Sequence, residues 1–193
     1  MRVAPVGVLY SSGRLDKLVR GAYESSIPTH GGQLAISAAA AVAGAISAAL
    51  DGKSTAEVLD LAMQAAQKAE AFGQAPEGRA APTIAVSIRK MHEDLSARDA
   101  LLVSHLAEKY FPDKTETKVP LAINLALLTE SAEQTILLAA NVGGDSDSVA
   151  SIGGAIAGAL RPDTVNEAWF DVVHTVNRDD LIDIAEALAK LRC

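Results

Sequence analysis

From Leu34 to Leu50 the chain carries no charged residue, and most positions in that stretch are alanine. A half-buried strand needs alternation of apolar and polar residues, and none is present here. The stretch predicts a helix buried on all sides. It falls short of the roughly 18 consecutive apolar residues that a membrane span needs, because Ser37, Gly44 and Ser47 interrupt it. Aromatic residues make up only 4% of the chain, so Ala, Leu, Val and Ile must build the core. A core made of small side chains requires helices that approach one another closely.

The remaining periodicity is also helical. Helices are expected near 15–26, 32–51, 55–72, 79–94, 97–110, 119–129, 132–141, 147–160, 166–176 and 178–191. Capping-box patterns pair Ser54 with Glu57, Ser96 with Asp99, Ser131 with Gln134 and Thr164 with Glu167. In each, a side chain can satisfy an orphan N–H at a helix start. Trp169, Val172, Val173 and Val176 form a stripe expected to face the core, as do Leu181, Ile184, Leu188 and Leu191. Loops are expected at Asp51–Lys53, Gly73–Gly78, Pro112–Lys118 and Arg161–Asp163, none long enough to separate domains. The expectation is an all-α protein with one domain over residues 1–193.

Net charge is −7, which argues against non-specific nucleic-acid binding and against an anionic membrane surface. Cys193 is the only cysteine, so no intramolecular disulfide can form. That fits a reducing cytoplasm, and a cytoplasmic location is expected. Arg2 and the apolar run Val3–Tyr10 do not make a secretory signal, because Pro5 and Gly7 break the run and no small-residue cleavage site follows.

The densest chemistry lies at Gly143-Gly144-Asp145-Ser146-Asp147-Ser148, followed by the small-residue helix Val149–Leu160. Two carboxylates and a hydroxyl on one turn are hard oxygen ligands of the kind Mg²⁺ or Mn²⁺ takes. Helix capping is the competing explanation, since Asp and Ser are favoured at N-caps and acidic residues complement the helix dipole. An EF-hand is excluded because its further ligands and closing Glu are absent. Gly153, Gly154 and Gly158 suggest that another backbone comes close to this helix. His92, His105 and His174 have no ligand spacing and read as surface or satisfied-core histidines. Arg79, Arg89 and Lys90 read as a solvated helix face, Gly31-Gly32 is too short to cradle a phosphate, and Cys193 has no neighbouring His to activate it.

The stretch from Asn141 through Leu160 resembles the C-terminal signature of the ADP-ribosylglycohydrolase family. Met1-Arg2-Val3-Ala4-Pro5-Val6-Gly7 resembles the segment that follows that family's phosphate-binding loop. Thr29-His30 with the alanine-rich helix resembles its central helix, and Val119-Pro120-Leu121-Ala122-Ile123-Asn124 the helix before the signature. The resemblance implies an orthogonal multi-helical all-α fold. It also implies a binuclear Mg²⁺ site, with Mn²⁺ as substitute, that cleaves the glycosidic bond of ADP-ribosylated substrates. Asp145, Asp147 and Ser148 would be metal ligands, Ser148 standing where many members have Thr, and His30 would lie near the bound ADP-ribose.

In family members the segment matched by Met1 is interior, and an upstream part carries further acidic ligands and a Gly-rich diphosphate loop. The resemblance therefore implies an N-terminally truncated form, the C-terminal portion of such a hydrolase. Mg²⁺ demands a near-ideal octahedral shell, of which one loop supplies only part. Weak metal binding and little catalysis are expected of this chain by itself. Absence of the first helices would expose an apolar surface, so a complementing N-terminal polypeptide or a homo-oligomer is the expected partner. The alternatives are a non-enzymatic helical interaction or regulatory module that keeps the signature as a structural turn, and a phosphoester hydrolase using the same metals.

Overall fold

The computed structural model describes residues 1–74, 83–96 and 101–193. Among the described residues every extended regular element is a helix, apart from one isolated bridge between Gly32 and Gln74. In chain order the α-helices are α1 (Ala4–Leu9), α2 (Leu15–Ser26), α3 (Gln33–Leu50), α4 (Thr55–Ala69), α5 (Ile84–Leu95), α6 (Val103–Lys109), α7 (Thr115–Leu128), α8 (Ala132–Asn141), α9 (Ser146–Leu160), α10 (Glu167–Asn177) and α11 (Leu181–Leu191). The all-α expectation holds.

Helix α3 is the axis of the molecule, with α1, α2, α4, α7 and α9 packed around it. By length and composition it could cross a membrane, yet 72% of it is buried inside the protein. Small residues set the packing distance. A Cβ at Gly44 would lie 2.9 Å from the Cβ of Ala65 and 3.1 Å from the Leu61 carbonyl oxygen, so α4 sits directly on the α3 backbone. Helix α1 sits equally close, since a Cβ at Gly7 would lie 2.7 Å from the Ala43 carbonyl oxygen.

Several local expectations need correction. Helix α1 was not expected, because Pro5 and Gly7 look like breakers. Pro5 falls in the first turn, where a missing N–H costs nothing. Helix α7 starts at Thr115 rather than 119, with Pro120 inside it. The hydrogen bond that Pro120 cannot donate would go to Glu116 in the half-exposed first turn, where water can serve instead. The Ser54–Glu57 capping box is complete. Ser131 accepts from Gln134 N–H, while the Gln134 side chain accepts from Glu130 N–H. Thr164 does not cap α10, and Asn166 does so in its place. Thr164 lies instead in a 3-10 turn, where its hydroxyl accepts from Ala132 N–H. Asp99, Arg79 and parts of the expected helices 79–94 and 97–110 and of the loop Gly73–Gly78 lie outside the described residues.

The largest departure is at the C-terminal end. The stripes on α10 and α11 do not enter the core: Trp169 is 41% exposed, Val176 74% and Leu191 66%. No residue of either helix is buried. A periodic pattern shows that a helix has an apolar face, and it is silent on which polypeptide covers that face.

Helix α11 is tied down at its end. The Arg192 guanidinium donates to the carbonyls of Gly7 (2.9 Å) and Tyr10 (3.2 Å) at the end of α1 and of Ser47 (3.1 Å) in α3, and pairs with Asp51 at 2.7 Å. Asp51 also accepts from the N–H and hydroxyl of Ser12, both at 2.7 Å. Partial burial pushes the Asp51 carboxyl up, but the bonds from Arg192 and Ser12 outweigh it and hold the group below its ordinary value.

Two outcomes are expected. Gly44→Val should destabilise the protein by about 2 kcal/mol or more, read from the denaturant midpoint, because α3 and α4 must move apart. Asp51→Asn should lower stability at pH 7. The lowered carboxyl stabilises the fold above about pH 4 and loses that contribution as pH falls through its folded value. The difference between wild type and Asp51→Asn should therefore shrink in acid, as thermal melts across that range can test.

Candidate functional site

The Gly143–Ser148 loop is built on the segment that precedes α7. After α8 the chain turns through Gly143 (φ 78°) and Gly144 (φ 57°), a left-handed conformation that L side chains rarely adopt. Both glycines lie against the Phe111 ring, and a Cβ at Gly144 would stand 3.0 Å from the Pro112 carbonyl oxygen. That same oxygen accepts from Asp145 N–H at 3.0 Å. The turn is thus clamped at its side chains and at its backbone.

Asp145 occupies the N-cap position of α9, but its side chain makes no capping bond. Its carboxylate accepts instead from the ammonium of Lys118. Hydrogen bonds from Lys118 first, then from Ser148, hold its pKa down to about 2. Asp147 is exposed in the first turn of α9, and Ser148 is 8% exposed. The capping explanation therefore fails for Asp145 in hydrogen-bonding terms, although both carboxylates still lie at the positive end of the helix dipole.

Close helix packing brings Lys118 into reach. A Cβ at Gly153 would lie 3.2 Å from the Ala122 carbonyl oxygen, so α9 touches the α7 backbone there. Lys118 is one turn before Ala122 on the same face of α7. Of the three glycines expected to admit a backbone, Gly153 does so. Gly154 meets the Ile136 side chain and Gly158 only Val165.

His30 and Ser148 line one cavity of about 410 Å³. Its floor is apolar, with Ala35, Ala38, Val42, Val119 and Ile152, and its rim carries Arg2, Ser25, Thr29 and Lys118. Thr29 organises that rim: its hydroxyl accepts from Arg2 at 2.9 Å and lies 2.9 Å from Nδ1 of the exposed His30. Arg2 also donates to the Ser25 carbonyl at 2.8 Å. The residues singled out from sequence thus converge, with His30 and Ser148 on the cavity wall and Asp145 and Asp147 on the loop beside it. Lys118 was not foreseen; its only signal was a charge immediately before the apolar run Val119–Leu128.

The loop's donors match Mg²⁺ or Mn²⁺ in kind, being carboxylate and hydroxyl oxygens, and they supply part of an octahedral shell. No cluster of three or more acidic, His or Cys groups suited to a metal occurs among the described residues. The other histidines are engaged elsewhere or lie apart. His92 meets the buried Asn124 Oδ1 at 2.8 Å, and Asn124 donates to the Ile88 and Pro120 carbonyls. His174 pairs with Asp179 at 2.7 Å.

An uncharacterized protein of Escherichia coli, YegU, is 32% identical over 199 aligned residues, which cover 100% of this chain and 58% of the relative. An uncharacterized protein of Archaeoglobus fulgidus is 32% identical over 192 residues, covering 99% of this chain and 57% of the relative. The chain thus spans less than three-fifths of the length of these relatives. The family model described as ADP-ribosylglycohydrolase matches residues 1–193, and the chain belongs to that family.

Proposed function

We propose that this chain contributes one side of a binuclear Mg²⁺ site that cleaves the glycosidic bond of ADP-ribosylated proteins or of ADP-ribose-type small molecules. The observation that carries this reading is the loop itself: Asp145, Asp147 and Ser148 are presented on one clamped turn beside a cavity that Ser148 and His30 line. Asp145, Asp147 and Ser148 would hold the metal, and His30 with Arg2 would face the substrate. Bound metal ions would orient the ribose and a water and stabilise charge as the bond breaks through an oxocarbenium-like state. Further ligands would come from the part of the relatives' length that this chain does not span. The exposed stripes of α10 and α11 suit packing against that part, or against a second copy of this chain.

One observation favours a non-enzymatic module: Asp145 is already neutralised by Lys118. Calorimetric titration with Mn²⁺, which binds oxygen sites of this kind more tightly than Mg²⁺, separates the two readings. The metal reading expects saturable binding that disappears in the Asp145→Ala, Asp147→Ala double variant. Equal heats from both proteins would leave the loop as a structural turn. Catalysis has its own test. Mixing this chain with a polypeptide carrying the remaining portion of a family member should release ADP-ribose from an ADP-ribosylated protein in the presence of Mg²⁺. No gain on mixing counts against the hydrolase reading.

A further inference from the structure

We propose that Lys118 is a resident counter-cation of the Asp145 loop, which a divalent ion must displace, so that Lys118 sets the metal affinity of the site. The proposal rests on the divalent-metal reading of the loop. Lys118 stands in the first turns of α7, a rigid element held against α9 by the Ala122–Gly153 contact. Its side chain is 23% exposed and that of Asp145 31%, so the pair is partly withdrawn from water and only partly screened. The Asp145 oxygen that Lys118 engages is one of the few hard donors on the turn. An ammonium and a divalent cation cannot share it, because they compete for the same oxygen and repel each other at contact distance.

The ammonium has somewhere to go. Lys118 also lines the cavity, alongside Ser148, His30 and Arg2. Rotation of its flexible stem away from Asp145 carries the charge from the loop to the cavity wall. In the absence of metal, the same ammonium offsets the repulsion between Asp145 and Asp147 on one turn. Lys118 is thus a positioning residue: it holds the loop's charge balance before loading and yields its place to the metal.

Calorimetric Mn²⁺ titration of wild type, Lys118→Met and Lys118→Arg tests this, with helical circular dichroism confirming that each variant is folded. Removing the competing charge in Lys118→Met should tighten Mn²⁺ binding by about tenfold or more. Lys118→Arg keeps the charge and should bind no more tightly than wild type. Adding Asp145→Asn to Lys118→Met should abolish the gain. Equal or weaker binding by Lys118→Met, with Asp145-dependent binding present in wild type, overturns the role of Lys118 alone. Lack of Asp145-dependent binding in every protein overturns the role of Lys118 and the metal reading together.

Discussion

The architecture depends on helices approaching to the distance that a missing side chain allows. Gly44 against Ala65, Gly7 against the Ala43 carbonyl and Gly153 against the Ala122 carbonyl are three versions of one contact. Each brings a helix onto the backbone of another. With so few aromatic residues, the interior gains its cohesion from many short contacts between small groups. Such a core leaves little slack, because a single added methyl group has no flexible side chain to push aside. The benefit is positional accuracy: the site is built where α3, α7 and α9 meet, and the Ala122–Gly153 contact holds α9 on the α7 backbone there.

The loop at the head of α9 inherits that accuracy. Phe111 and Pro112 clamp the glycine pair, and α7 follows within a few residues, so the segment that shapes the turn also carries Lys118. The charge pattern is local and self-contained. Two carboxylates sit at the positive end of a helix dipole, one of them paired with an ammonium, beside a cavity whose rim carries further positive charge. A free Asp145 would repel its neighbour two residues on, and Lys118 removes that cost without capping the helix.

The parts of this structure legible in the sequence are those in which neighbours along the chain decide the outcome. The buried character of α3, the bounds of α2 and α8, and the Ser54–Glu57 cap follow from local pattern. The Gly143–Ser148 turn was legible because its glycines and acids are consecutive. Helix α1 was hidden because its proline and glycine, breakers by propensity, serve as a first-turn residue and a packing gap that only α3 reveals. Lys118 was hidden because its partner lies far along the chain. The stripes on α10 and α11 were correctly seen as apolar faces and wrongly assigned to this core. A pattern encodes the face of a helix, while the identity of its cover is a property of the whole assembly.

The Arg192 tie has a consequence for how the fold closes. It joins Arg192 to Gly7 across 185 positions, so the contact closes a loop that spans nearly every helix described above. Helix α1 cannot be locked to α3 through Arg192 until α11 has docked. Closing so long a loop also costs chain entropy that only the completed packing offsets. Until then α1 rests on α3 through the close fit at Gly7 and the hydrogen bond from the Ser47 hydroxyl to the Tyr10 carbonyl at 2.6 Å.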